Sequence, residues 1–226
     1  NGRGAVLILL FEKEGSLRVL LTTRSKNLRS HPGQTALPGG MYDETDESLV
    51  ATAYREAFEE IALDTTSPHL RTIITLPPFI SSKKVIVTPT IALLRDPSVL
   101  DTLVPSPAEV DLIFDHPVKA FLDPTIASGE HLAPMGSEQW VWESELHDFQ
   151  DFNPGAIVGR SYRMHRFRST GSPITGLTAD IMIFVAEVGY NAKTTFERWA
   201  PSQPTSLESV LLVVGGEAEV YWRKYD

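Results

Sequence analysis

The chain has 226 residues, 25.0 kDa of mass, 29 acidic against 20 basic side chains and no cysteine. That length supports one substantial hydrophobic core, with about 70% of the unfolded surface removed from water on folding. The absence of cysteine excludes disulfides, thiolate metal sites and a cysteine nucleophile, and a net charge of −9 argues against duplex nucleic acid as partner. Apolar runs are short, so no membrane span and no signal peptide is expected. Because the first residue is Asn1 rather than Met, a processed or partial chain is expected, with a removed leader left open.

Two apolar runs, Ala5 to Phe11 and Leu17 to Thr23, flank Lys13-Glu14-Gly15-Ser16 and predict a strand pair joined by a turn. Arg24 to Gly40 is polar and punctuated by Gly and Pro, hence loop, with room for a short strand over Gln34 to Leu37. From Ser48 to Leu63 apolar residues recur at spacings of three and four, which predicts a helix with Asp46 as candidate N-cap. Strands are then expected over Leu70 to Leu76, Lys84 to Leu94 and Val110 to Phe114, a short helix over Val118 to Leu122, and strands over Glu138 to Trp142 and Ser161 to Phe167. Leu177 to Val188 predicts a second long helix, and residues 201–226 read equally as helix or strand. Strands and helices in this order imply a mixed α/β layered domain.

The helix carries Arg55-Glu56-Ala57-Phe58-Glu59-Glu60. At about 100° per residue the three carboxylates share an arc of roughly 100° beside the apolar face. Like charges one turn apart repel, and near a helix C-terminus the macrodipole opposes anions as well. Both penalties are relieved by a cation. Oxygen ligands without His or Cys select a hard ion, Mg²⁺ or Mn²⁺; the competing reading is a solvated acidic face. A cationic stretch with no acid between Arg18 and Tyr42 lies upstream and includes Arg24, Lys26, Arg29 and His31. A second cluster holds Arg160, Arg163, His165, Arg166 and Arg168; an exposed edge strand is its expected setting. Trp140, Trp142, Phe149 and Phe152 are expected in core or rim packing.

Residues 40–63, GMYDETDESLVATAYREAFEEIAL, resemble the Nudix box. Residues 20–40, LLTTRSKNLRSHPGQTALPGG, are similar to the signature of the coenzyme A diphosphatase branch of that superfamily, approximately LLTxRSxxLRxHxGQVxFPGG. A shorter echo at Ile174 to Ala179 is similar to the branch's IWGLTA segment. Departures are Leu37 for Phe, Met41 for Lys, Ala62 for the box Gly and Thr175 for Trp, and one extra residue lies between Asp46 and Arg55.

The resemblance implies a single domain over 1–226 with the Nudix fold, an α/β/α sandwich of mixed sheet and flanking helices. It implies metal-dependent hydrolysis of the diphosphate of coenzyme A and its derivatives to 3′,5′-ADP and a phosphopantetheine. Glu56 and Glu60 would hold the metal, with Glu59 as further ligand or base and Arg55 in the catalytic set. Arg24, Arg29, His31, Gln34, Gly39 and Gly40 would meet the substrate. Glu47 is a candidate brace for Arg55, and Glu109 a candidate extra carboxylate. The expected partner is a small molecule, not a membrane or duplex nucleic acid. The compartment is expected to be intracellular, peroxisome and mitochondrion being open along with the cytoplasm. Two alternatives stand beside this: hydrolysis of oxidised nucleoside triphosphates or other nucleoside diphosphate compounds, and a non-catalytic binding module.

Overall fold

The computed structural model describes residues 2–81, 83–152 and 161–205. In chain order the strands are β1 (Arg3–Lys13), β2 (Ser16–Arg24), β3 (Thr35–Ala36) and β4 (Gly39–Met41), followed by helix α1 (Leu49–Ile61). Next come β5 (Leu70–Thr75), β6 (Phe79–Ile80), β7 (Ile86–Leu94) and β8 (Val110–Pro117). A 3₁₀ turn over Val118–Phe121 precedes β9 (His147–Phe152), β10 (Tyr162–Phe167), β11 (Ile174–Thr175) and α2 (Gly176–Tyr190).

β1 is the axis of a mixed sheet of eight strands among the described residues. It pairs antiparallel with β2 and β4 and parallel with β7, in register from Arg3↔Ile86 to Phe11↔Leu94. Its side chains alternate between faces, as strand geometry requires. Ala5, Leu7, Leu9 and Phe11 meet Ala53, Ala57 and Ile61 of α1. Ile8, with Val19 and Leu21 of β2, meets Ala179, Met182, Ile183 and Ala186 of α2. Since both faces of β1 are buried, its sequence is continuously apolar rather than alternating. The result is the expected α/β/α layering.

α1 starts at Ser48, whose side chain accepts a hydrogen bond from the Ala51 amide. Asp46, the expected cap, serves the site instead. The helix ends in a left-handed residue, Ala62 at φ 53°, whose amide bonds Phe58 O at 2.9 Å. A left-handed C-cap favours Gly, and here it is adopted by the Ala that departs from the box pattern.

Two further expectations about the elements fail. Glu138 to Trp142 forms turns with a single bridge, Ser137↔Trp140. Gly136, at φ 75°, starts a tight reversal in which its amide donates to Trp140 O. Trp140 is buried, so apolar character there marks a plug and not a strand. The strand lies instead at β9, His147–Phe152, whose polar sequence HDFQDF hides it.

The second failure concerns β10, which is the middle strand of β11-β10-β9 and not an edge. Its arginines are buried and paired: Arg163 with Asp151 (2.7 Å) and Glu197 (3.3 Å), Arg166 with Asp148 (2.9 Å). Arg163 also lies over Phe149, and Arg166 over Trp142. β9 thus supplies the acids that the basic cluster lacks in its own segment. Arg160 and residues 206–226 lie outside the described residues; no helix among those described is long and apolar enough to cross a membrane.

Candidate active site

β4 and the helix face of Arg55, Glu56, Glu59 and Glu60 meet where β1 holds both. The amphipathic α1 lays Ala53, Ala57 and Ile61 on the sheet, which fixes the adjacent carboxylates at the margin of the core. Glu60 is the deepest, 4% exposed. One carboxylate oxygen accepts the Gly39 amide at 3.2 Å; the other lies 3.4 Å from Nη1 of Arg24. Those two long contacts under-compensate a buried charge. Burial accordingly pushes the Glu60 carboxyl up to about 7, the Gly39 amide and Arg24 opposing, and Glu56 and Glu109 adding repulsion.

Glu56 is also raised, first by burial, against the pull of Arg55. Its carboxylate lies against the Cα of Gly40, where a methyl group would overlap it. The absence of a side chain at Gly40 thus leaves the space that the Glu56 carboxylate occupies, without any unusual φ.

Arg55 organises the site. Nε and Nη2 grip both oxygens of Asp46 (2.9 and 3.1 Å), Nη2 also reaches Met41 O (3.1 Å), and Nη1 donates to Glu56 (3.0 Å) and Glu59 (2.9 Å). Asp46 in addition accepts from Thr52 Oγ1 at 2.8 Å. The guanidinium, followed by its other hydrogen bonds, holds Asp46 well below the usual carboxylate range against the opposing effect of burial. One planar fork thereby ties the loop before α1 to two of the three helix carboxylates. Beside it opens a groove of about 390 Å³ lined by Met41, Tyr42, Asp43, Thr45, Arg55, Glu56 and Glu59.

The expected residues are distributed unevenly around this centre. Arg55, Glu56, Glu60, Gly39 and Gly40 come together as expected. Glu59 is half-exposed and turned onto Arg55. Glu47 is exposed; the brace for Arg55 is its neighbour Asp46. The polar contacts are the reason: Asp46 sits inside the loop, where Thr52 and the Asp43 amide also reach it. Glu109 is half-buried immediately before β8, and its charge acts on both Glu56 and Glu60.

Arg24 faces Glu60 from the end of β2 and does not stand on the outer loop. That loop runs from Ser25 to Gln34, closed by Arg24 N to Gln34 O at 2.9 Å. Arg29, His31 and Gln34 are exposed on it, and His31 Nδ1 lies 2.9 Å from Gln34 Oε1. Thr52 is a site residue that the motif reading omits, six residues after Asp46, and Met41, read only as a departure from the box, acts through its carbonyl.

An all-oxygen donor set short of positive charge fits a hard divalent cation. The under-compensated Glu60 is the observation that carries this fit, and Glu56 and Glu60, within reach of the Glu109 charge, could hold such an ion. Among the described residues no three acidic or imidazole side chains already converge on one point. Glu59, for its part, is held by Arg55 Nη1 at 2.9 Å.

A mixed sheet covered on both faces, with an arginine-braced acidic helix beside a glycine pair, defines an α/β domain that gathers its carboxylates at the margin of the core. The NUDIX domain family matches residues 2–155, and the chain belongs to that family. It is 38% identical over 201 residues to Nudix hydrolase 15, mitochondrial, of Arabidopsis thaliana, covering 88% of this chain and 62% of that protein. It is 44% identical over 123 residues to the peroxisomal coenzyme A diphosphatase ndx-8 of Caenorhabditis elegans, covering 53% of this chain and 50% of that protein. The chain thus spans about half to three-fifths of the length of these curated relatives. Among solved structures, a C. elegans Ap4A hydrolase binary complex matches with TM-score 0.43 and 21% identity, over 57% of this chain and 88% of that one.

Proposed function

We propose that the protein hydrolyses the diphosphate linkage of coenzyme A and its derivatives, giving 3′,5′-ADP and 4′-phosphopantetheine or its acylated form. The buried, under-compensated Glu60 beside Glu56 at the Gly39–Gly40 pair is the observation that carries the chemistry. The upstream signature and the partial match to a protein named coenzyme A diphosphatase support the choice of substrate.

Glu56 and Glu60 would hold Mg²⁺ or Mn²⁺, with Glu59 or Glu109 as further ligand or base. When bound, the cation neutralises diphosphate charge and lowers the proton affinity of water. Water oxygen then forms a bond to one phosphorus, the bridging P–O bond breaks, and the departing phosphate keeps the electron pair. The proton lost by the water goes to a carboxylate. Arg55 positions rather than reacts: it holds Glu56 and Glu59 in place and ties them to the loop through Asp46. Arg24 raises the positive charge beside Glu60, while Arg29, His31 and Gln34 extend from the same hairpin toward the substrate's nucleotide end. Residues 1–226 are taken as one catalytic unit, and the names of the two relatives favour a mitochondrial or peroxisomal compartment.

The test is mass-spectrometric product analysis with coenzyme A, acyl-coenzyme A, ADP-ribose and 8-oxo-dGTP, each with Mg²⁺ and Mn²⁺. Formation of 3′,5′-ADP from the coenzyme A compounds is expected. Preferential release of 8-oxo-dGMP would move the substrate to the oxidised nucleotides, and no turnover of any compound would favour a binding module.

A further inference from the structure

We infer that Lys83, which belongs to neither motif, is a specificity residue that binds the ribose 3′-phosphate of the substrate together with Arg29 and Ser30; this rests on the coenzyme A reading above.

The loop between β6 and β7 is a tight reversal. Ser81 N donates to Val85 O (2.9 Å), Lys84 N to Ser81 O (2.9 Å) and Val85 N to Ser81 Oγ (3.0 Å), with Lys84 left-handed at φ 60°. This turn directs Lys83 across to the signature loop, where its Nζ donates to Ser30 Oγ at 2.9 Å. Two segments 53 residues apart in sequence are thereby joined at the tip of the loop that begins at Arg24, the residue facing Glu60.

The charge balance at that tip is unusual for a chain of net charge −9. Lys26, on the same loop, is paired with Glu138 at 3.1 Å, and Arg24 lies 3.4 Å from Glu60. Arg29, Lys83 and Lys84 are exposed and form no ion pair with any carboxylate among the described residues. The contact Lys83 makes is with a neutral hydroxyl, which leaves two ammonium protons and the Ser30 hydroxyl hydrogen to donate. Together with Arg29, next to Ser30 in sequence and likewise exposed, they would supply donors for a phosphomonoester dianion. The diphosphate is assigned to the acidic helix. A second phosphate on the same substrate needs cations apart from it, clear of the carboxylates.

The experiment compares coenzyme A with dephospho-coenzyme A, which lacks only the 3′-phosphate, in the wild type and in Lys83→Ala and Lys83→Arg. One lost charge-assisted contact corresponds to about a tenfold change. The expected result is that Lys83→Ala lowers the ratio of kcat/KM for coenzyme A over dephospho-coenzyme A about tenfold, through KM, and that Lys83→Arg restores most of it. An unchanged ratio overturns the inference while leaving the proposed activity standing. If the wild type cleaves neither compound with Mg²⁺ or Mn²⁺, the coenzyme A reading itself fails and the inference with it.

Discussion

Glu60→Gln should make the metal-free protein more stable at neutral and alkaline pH, even though it removes a residue assigned to function. In the folded chain the Glu60 carboxyl is raised from an ordinary 4.5 to about 7 by burial. The unfolded chain therefore releases this proton first. Stability contributed by the protonated form is complete below about pH 4.5 and is lost as pH rises through about 7. At 1.36 kcal/mol per unit the full loss is about 3 kcal/mol. Gln carries no charge and keeps an oxygen for the Gly39 amide, so it avoids that loss, less a modest cost where its NH₂ meets Arg24. Urea unfolding in EDTA should show the variant about 2–3 kcal/mol more stable than wild type at pH 8, and less than about 1 kcal/mol apart at pH 5. Millimolar Mg²⁺ should then stabilise the wild type and leave the variant unmoved. A variant less stable than wild type by the same amount at every pH would refute the reasoning, because Glu60 would then be fully compensated by the protein alone.

Arg55→Ala should lower kcat at least a hundredfold and cost about 2 kcal/mol of stability, since it removes charge-assisted bonds to Asp46, Glu56 and Glu59; Asp46→Asn, read by the same assays, should reproduce part of both effects. Gly40→Ala should fold with nearly wild-type thermal stability yet lose most turnover, because the new methyl displaces the Glu56 carboxylate. Ala62→Gly should raise stability by about 1 kcal/mol in urea titrations by relieving the left-handed cap. Arg163→Ala should destabilise by about 2–3 kcal/mol without altering KM, as this side chain ties β10 to Asp151, Glu197 and Phe149 and lies in the structural sheet.

Strong periodicity made some elements legible in the sequence. α1 and α2 announce themselves by apolar spacing and by length, and β1 and β2 by continuous apolar runs, because each presents a repeating face to one core. β9 offers no such signal. Its stabilising partners are Arg163 and Arg166, more than ten residues away, and pairing of polar side chains across strands leaves no periodic trace. The 138–142 segment misleads in the opposite sense: Trp140 is buried as a plug, its Nε1 donating to Ser144 O, whereas strand pairing is confined to one bridge.

In the site, residue identities were legible but relations were not. Carboxylates in a row mark the helix face, yet only the chain's path shows that Asp46 rather than Glu47 receives Arg55. The same holds for Arg24, which faces Glu60 because β2 ends there. Lys83 lies 53 residues beyond Ser30, in a turn without a motif, so only the fold brings the two together.

Calorimetric titration of Mn²⁺ into the protein at pH 7, repeated in buffers of differing ionisation enthalpy, bears most directly on the role assigned to the acidic helix. The account predicts binding accompanied by net proton release, since burial raises the Glu60 carboxyl to about 7 and it must ionise to ligate. Both the heat and the proton release should disappear in the Glu56→Gln, Glu60→Gln double variant. Absence of any binding heat in the wild type, even with a diphosphate compound present, or equal binding by the double variant, would contradict it.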